Sequence, residues 1–138
     1  MPGRFLGDIS PIQTWENLQA EASAILVDVR TRAEWTFVGG PDLTALGKPV
    51  AKAEWVVFPA MKHNPRFIEE VQAQGITPQQ LLYLICRSGV RSREAAKLLA
   101  ERGYTTYNVA DGFEGQIDGN GHRGIGGWRA EGLPWRQS

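Results

Sequence analysis

Residues 81–92 read Leu-Leu-Tyr-Leu-Ile-Cys-Arg-Ser-Gly-Val-Arg-Ser, and this stretch decides the fold. Its five apolar residues are typical of a strand buried on both faces, as in a parallel sheet. A short loop after Cys86 leads into residues 91–102, whose periodicity predicts a helix that ends at Gly103. A strand, a tight turn and a helix start are therefore predicted to meet at Cys86, the single cysteine of the chain.

This predicted turn suits a reactive thiol. A helix start presents unpaired N–H groups and a partial positive charge, and both favour the thiolate, which is the nucleophilic form of cysteine. Three arginines, Arg87, Arg91 and Arg93, crowd the same stretch, and the first acid after them is Glu94. A buried structural cysteine is the alternative interpretation. The arginines favour an anion pocket with a nucleophile at its base.

The composition is that of an ordinary globular protein. The 138 residues are 42% hydrophobic and 22% charged, enough for one domain with a core. We expect a single domain over residues 1–138, with its core at about 8–135. Fifteen basic and fifteen acidic side chains give zero formal net charge, so neither nucleic acid nor a membrane surface is an expected partner.

The cysteine count and the N-terminus bear on location and cofactors. One cysteine excludes a disulfide within the chain and fits a reducing compartment, which predicts a cytoplasmic protein. No apolar run has the length of a signal peptide or a membrane span. Two isolated histidines, His63 and His122, have no metal-ligand spacing to the cysteine, so we predict neither a metal nor another cofactor.

The rest of the chain predicts an α/β fold. Apolar or β-rich runs predict further strands at residues 24–29, 54–58 and 105–109. Capping signals predict helices from Ser10 to Ala20, with Ile12, Trp15 and Leu18 buried, from Thr31 to Trp35, and from Asn64 to Gly75. Residues 38–53 predict a loop. Alternating strands and helices indicate a central, mostly parallel sheet with helices on both faces, and ligands bind such sheets at the carboxyl ends of strands.

Four segments together resemble the rhodanese family of sulfurtransferases, over roughly Asp8 to Trp135. Residues 25–35 resemble the family's early strand with its Asp-x-Arg signature. Residues 85–92 resemble its active-site loop, and residues 95–104 resemble the helix and turn that follow. Residues 127–135 resemble its closing motif. The resemblance implies one rhodanese-like α/β domain.

The resemblance also implies an activity. Cys86 would take a sulfane sulfur from a donor such as thiosulfate, hold it as a persulfide, and pass it to cyanide, a small thiol or a protein acceptor. Arg87 and Arg91 would bind the donor's oxyanion with forked N–H donors. Small residues let the loop amides form a cup around the sulfur. The expected site comprises catalytic Cys86, substrate-binding Arg87, Ser88, Gly89, Val90 and Arg91, and the supporting residues Asp28, Arg30 and Ser92.

Two other functions stay open. A cysteine-dependent phosphatase or arsenate reductase is one, with Asp111 and Asp118 as candidate general acids. However, four residues separate Cys86 from Arg91, whereas phosphatases of this general design have five, in a wider cup. A non-catalytic sulfur-carrier or docking module is the other.

The sequence departs from the family pattern at two places. Residues 47–53 lack the histidine of the family's Gly-His-Ile-Pro-Gly-Ala segment. The stretch 111–127 contains seven glycines and is longer than the turn common in single-domain members. Such a stretch could cover the pocket, although we expect its His122 and Arg123 to be solvated.

Overall fold

A computed structural model describes residues 3–57, 62–117 and 123–137. The helices are α1 (Pro11–Ala20), α2 (Arg32–Phe37), α3 (Phe67–Ala73) and α4 (Val90–Glu101), with a turn of 3-10 helix at Thr44–Leu46. The strands are β1 (Arg4–Ile9), β2 (Ala24–Asp28), β3 (Gly40–Pro41), β4 (Ala51–Lys52), β5 (Val56–Val57), β6 (Lys62–His63), β7 (Leu81–Ile85), β8 (Thr105–Val109), β9 (Gln116–Ile117), β10 (Arg123–Ile125) and β11 (Trp135–Arg136).

Five strands form one parallel sheet in the order β1-β8-β7-β2-β4. This confirms the predicted parallel α/β architecture. β7 lies in the middle, between β2 and β8, and Asp28 at the end of β2 is the register partner of Ile85 at the end of β7. The sheet therefore brings the residues that follow both strands, from 29 and from 86 onward, to the same edge.

Alternate side chains of β7 enter two separate cores. Leu82 and Leu84 pack with buried residues of α3 and α4, such as Phe67 and Leu99. Tyr83 and Ile85 pack on the opposite face with residues that include Leu18 of α1, Phe113 and Trp128. Because both faces are covered, the middle strand is apolar throughout, which is the pattern that the sequence predicted.

Two helix starts have the predicted caps. The Ser10 hydroxyl accepts a hydrogen bond from the Gln13 amide at 3.1 Å. Thr31 and Glu34 form a capping box in which the Thr31 hydroxyl accepts from the Glu34 amide and the Glu34 carboxylate accepts from the Thr31 amide. Each cap satisfies N–H groups that a helix start leaves unpaired.

The predicted inner face of α1 was wrong by one position. Ile12 is 46% exposed, and Trp15 is only half-buried, whereas Leu18 is buried as expected. The buried residues are Pro11, Thr14 and Leu18, which share a helical face at spacings of three and four. The apolar character of residues 12 and 15 gave the wrong inner face, because Pro11 and Thr14 pack inward instead.

The predicted strand at 54–58 does not join the sheet. Val56–Val57 pairs with Lys62–His63 in a separate antiparallel hairpin, and residues 58–61 lie outside the described part of the chain. The edge strand beside β2 is Ala51–Lys52, inside the segment predicted to be a loop. Two residues are too few to produce a periodic signal, so only the pairing with β2 identifies this strand.

β1 was missed because its pattern is weak. The strand contains Gly7 and Asp8, and its register against β8 shifts between Phe5 and Asp8. It lies at the edge of the sheet, where alternating exposed and half-buried residues suffice.

The segment from Trp128 to Arg136 covers the core that contains Tyr83. Trp128 is fully buried, and its indole Nε1 donates to the Pro134 carbonyl at 2.6 Å. β11 then pairs antiparallel with β3. Part of the glycine-rich stretch forms the hairpin of β9 and β10, while Asp118 and His122 lie outside the described residues. None of the helices among the described residues has the length and apolar character that a membrane span needs.

Candidate active site

Cys86 directly follows β7 at the carboxyl edge of the sheet, where the sequence placed it. Three backbone hydrogen bonds hold this part of the chain: the Val29 amide donates to the Ile85 carbonyl, Phe113 to Cys86, and Glu114 to Arg87, all at 2.8–2.9 Å. The loop is therefore anchored from both sides, by the end of β2 and by the turn after β8.

Three donors surround the sulfur of Cys86. The Gly89 amide lies 3.1 Å from Sγ, the Ser92 amide 3.3 Å and the Ser92 hydroxyl 3.2 Å. Gly89 precedes α4 in a left-handed conformation with φ of 102°, which a glycine adopts without steric cost. The helix start and these donors together favour negative charge on the sulfur.

The cup differs in detail from the predicted one. The sequence predicted that the amides of residues 87–91 surround the sulfur, and the structure brings the Gly89 amide to it. Ser92, which was expected only to support the loop, contacts the sulfur through both its amide and its hydroxyl. Val90 begins the helix with its side chain exposed.

Cys86 is more buried than a nucleophile at the base of an open pocket would be. The residue is 1% exposed and adjoins the apolar cluster that contains Leu84 and Ala95. The sulfur nevertheless has three polar partners, and hydrogen bonds to it are electrostatically stronger in this low-dielectric setting than in water.

Ser92 connects the cup to β8 and β1. Its hydroxyl lies 2.5 Å from Oδ1 of Asn108, and Nδ2 of Asn108 donates to Oδ1 of Asp8 at 3.0 Å. Asn108 is fully buried. Sequence reasoning did not single out Asn108 or Asp8. The one signal that could have indicated a buried polar partner is an asparagine within the predicted strand at residues 105–109.

Gly112 allows the turn after β8 to approach the loop closely. A Cβ at this position would collide with the Cys86 carbonyl oxygen and lie 2.7 Å from the Arg87 carbonyl carbon, and its φ is 58°. Only glycine satisfies both conditions. Part of the glycine-rich stretch therefore packs directly beneath the cysteine loop.

Both predicted substrate-binding arginines are paired with carboxylates. Arg91 makes two parallel hydrogen bonds to Glu34, at 2.9 and 3.0 Å, and Arg87 Nε lies 3.2 Å from Glu114. The sequence missed these two partners. Glu34 was recognisable only as the acid three residues after the Thr31 cap, a structural signal that gives no hint of the arginine.

The Arg91–Glu34 pair shifts both titrations. Burial acts to raise the pKa of Glu34, but the hydrogen bonds and charge of Arg91, together with Thr31, lower it overall. Burial acts to lower the pKa of Arg91, but Glu34 and, more weakly, the charges of Cys86 and Asp28 raise it. Both side chains are therefore ionised at neutral pH.

The two ion pairs line a groove of about 400 Å³ beside the loop. Much of the remaining lining is apolar and includes Ala33, Val38 and Phe37. Phe37 is 75% exposed. We call this the donor groove; its lining is Thr31, Ala33, Glu34, Phe37, Val38, Arg87, Arg91 and Glu114.

Asp28 and Arg30 form a buried ion pair at the same edge of the sheet. Both carboxylate oxygens of Asp28 accept from Arg30, the closest at 2.7 Å, and Arg30 also donates to the Gly39 carbonyl at 2.6 Å. The guanidinium lies 4.5 Å from the centre of the Phe113 ring. Because the Phe113 amide holds the Cys86 carbonyl, the pair is connected to the loop through Phe113.

Among the described residues, no three His, Cys, Asp or Glu side chains lie together in a group that could hold a metal ion. Asp111 has a left-handed backbone, with φ of 65°, in the turn after β8.

Known proteins share this arrangement of the chain. The family model described as the STR4 middle domain matches residues 6–138. The crystal structure of Rv0390 from M. tuberculosis superposes with a TM-score of 0.89 at 49% sequence identity, covering 98% of this chain and 100% of that one. The chain belongs to the STR4 middle domain family and is a rhodanese-like protein.

Two further relatives of this rhodanese-like protein match over nearly their whole length. Protein RC0915 of Rickettsia conorii is 33% identical over 131 residues, covering 94% of this chain and 96% of that protein. Thiosulfate sulfurtransferase GlpE of Actinobacillus pleuropneumoniae is 28% identical over 128 residues, covering 92% and 90%. The relatives of this protein thus include sulfurtransferases.

Proposed function

We propose that this rhodanese-like protein transfers sulfane sulfur through a persulfide on Cys86. In the first step the Cys86 thiolate attacks the outer sulfur of a donor, and the donor's bond to that sulfur breaks as the leaving group takes the electron pair. In the second step an acceptor attacks the outer sulfur of the persulfide and releases the thiolate. With thiosulfate and cyanide the products are sulfite and thiocyanate.

The observation that carries this proposal is the set of three donors on the Cys86 sulfur. Donors fixed by a folded loop stabilise charge on the sulfur without having to reorganise during the reaction. A persulfide also carries negative charge on sulfur, so the same loop suits both the resting and the loaded form.

The other predicted site residues have proposed roles beside it. Arg87 and Arg91, which both line the groove beside the loop, stabilise the donor's leaving group. The loop residues Ser88, Gly89 and Val90 shape the cup. Asp28 and Arg30 position the loop through Phe113, and Ser92 acts directly on the sulfur.

The relatives support the same reaction. GlpE is named a thiosulfate sulfurtransferase. We propose a small sulfur donor as the substrate, and cyanide, a thiol or a protein thiol as the acceptor. The reaction needs a reduced Cys86, which a reducing compartment such as the cytoplasm maintains.

The test is direct because the chain has one cysteine. Incubation with excess donor, either thiosulfate or an organic persulfide, is expected to add one sulfur atom to Cys86, read by mass spectrometry of the intact protein and of its peptides. Cyanide or a small thiol should remove that sulfur. Cys86→Ser should abolish the adduct and keep the fold, as judged by circular dichroism. Failure of both donor classes to load the wild type would contradict the proposal, and hydrolysis of an aryl phosphate would then favour a phosphatase.

A further inference from the structure

The donor groove is electrically balanced. Among the described residues, its charged lining consists of Arg87 and Arg91, each paired with one of two glutamates, Glu114 and Glu34. The sequence predicted a cationic pocket for an oxyanion, because neither glutamate is near the loop in the chain. The folded groove instead has two positive and two negative side chains.

Glu34 occupies the part of Arg91 that an oxyanion would use. Two parallel N–H···O bonds satisfy the forked guanidinium, and the two side chains are only 17% and 21% exposed. A dianion that approaches Arg91 must displace this carboxylate or lie beside it. In a half-buried site with little screening, either arrangement is unfavourable.

Glu114 acts in the same way on Arg87. Its side chain is 10% exposed, whereas that of Arg87 is 49% exposed, so the carboxylate is the more firmly placed partner. The Glu114 amide also donates to the Arg87 carbonyl at 2.9 Å, which ties the two residues together at the backbone. A small anion at the mouth of the loop therefore meets two arginines whose charge is already balanced by carboxylates.

The remainder of the groove suits carbon rather than oxygen. Ala33, Val38 and Phe37 supply its apolar wall, and Phe37 is the most exposed large hydrophobic residue among those described. Covering such a side chain is favourable in proportion to the apolar area removed from water. Thiosulfate has no apolar surface to offer it, whereas the carbon chain of an organic thiol does.

We propose that Glu34 and Glu114 select the sulfur donor, disfavouring thiosulfate and favouring an organic persulfide whose carbon chain packs against Phe37. This inference rests on the proposed function. The Cys86 thiolate attacks the outer sulfur of R–S–SH and forms Cys86–S–SH, while the donor's S–S bond breaks and R–S⁻ leaves with the electron pair. The proton first stays on the transferred sulfur and is then released to solvent as the Cys86 persulfide ionises, and no oxidant or reductant is consumed.

The experiment compares two donors in single-turnover loading of Cys86, read by mass spectrometry: thiosulfate and a small alkyl persulfide whose carbon chain carries no charge. Glu34→Gln and Glu114→Gln should each raise the second-order rate constant for thiosulfate by roughly fivefold or more, because each removes a negative charge that opposes association of the dianion. The rate constant for the alkyl persulfide should rise much less, because its leaving group carries a single negative charge. Glu34→Gln keeps the Thr31 capping box, since glutamine serves at that helix position as well as glutamate.

Two matched controls accompany these variants. Glu69→Gln removes the carboxylate of an exposed ion pair with Arg66 that does not line the groove, and it should alter neither rate. Phe37→Ser should slow the alkyl persulfide by roughly threefold or more and leave thiosulfate unchanged. Ile12→Ser, at an exposed apolar position on α1, is the control for that change.

The outcomes separate this inference from the proposed function. If Cys86 is loaded but the ratio of the two rates is unchanged in all three groove variants, donor selection by Glu34 and Glu114 is overturned. The proposed function is then unaffected. If neither donor loads Cys86, the proposed function is overturned, and the inference is overturned with it. Phe37 is exposed, so its variant keeps the test available even if a glutamate variant does not fold.

Discussion

The hydroxyl of Ser92 lies 3.2 Å from the sulfur of Cys86 and 2.5 Å from Oδ1 of Asn108. The Asp8 carboxylate accepts from Nδ2 of Asn108, so the amide is oriented with its oxygen toward Ser92. One hydroxyl proton is thus shared between the sulfur and a buried amide oxygen. The Ser92 hydroxyl therefore links the Cys86 sulfur to a buried amide side chain.

Ser92→Ala removes the hydroxyl and keeps the amide that also contacts the sulfur. We expect single-turnover loading of Cys86 to slow by about 10-fold, which is less than the usual effect of losing one preorganised donor. The effect is smaller because two amides still contact the sulfur. Rapid-quench mass spectrometry measures this rate. Ser23→Ala, at an exposed position before β2, is the matched control and should load at the wild-type rate. An unchanged rate for Ser92→Ala would remove the hydroxyl from the proposed site.

Gly112→Ala tests the close approach of the turn after β8 to the cysteine loop. The new methyl group meets the backbone of Cys86 and Arg87, and the residue has a positive φ. We expect a loss of about 2–4 kcal/mol in the free energy of unfolding, together with slower loading of Cys86.

Gly47→Ala is the control for that change. Gly47 also has a positive φ, of 69°, but a Cβ there has no heavy atom within 4 Å. Its loss should be about 1 kcal/mol, from backbone strain alone, with loading unaffected. Urea denaturation measures both variants, and equal losses would contradict the close approach.

Arg30→Met tests the buried pair with Asp28. The substitution leaves the Asp28 carboxylate buried without its partner, and we expect a loss of about 3–5 kcal/mol in the free energy of unfolding. Arg66→Met breaks the exposed pair with Glu69, whose side chains are 77% and 70% exposed, and should cost no more than about 0.5 kcal/mol. Chemical denaturation of the two variants gives the comparison, and similar losses would argue against the structural role of Arg30.

The Glu34–Arg91 pair makes stability depend on acid. The pKa of Glu34 is lowered in the folded protein, so its contribution to stability is complete above the ordinary value of 4.5. It is lost as the pH falls below 4.5 and through the lower folded pKa, because the proton binds the unfolded chain more readily. We therefore compare the unfolding free energies of wild type and Glu34→Gln by urea denaturation. The difference between them should shrink as the pH falls from about 6 to about 3. A difference that grows toward acid would show that the pair does not lower the pKa.

The sheet and the position of Cys86 at its carboxyl edge were predictable from local sequence. The run before Cys86 is apolar at every position, and a strand with both faces covered requires that. The Ser10 and Thr31 caps were also predictable, since each depends on contacts within four residues. Short edge strands such as Ala51–Lys52 were not, because two residues have no period and only a neighbouring strand defines them.

The α/β fold and the position of one cysteine between a buried strand and a helix start follow from the sequence alone, because apolar periodicity and capping are local properties. The electrostatics around that cysteine depend instead on contacts between distant parts of the chain. Glu34 is 57 residues from Arg91, and Asn108 is 16 residues from Ser92. Their pairing follows from the parallel sheet, which gathers the ends of distant strands at one edge.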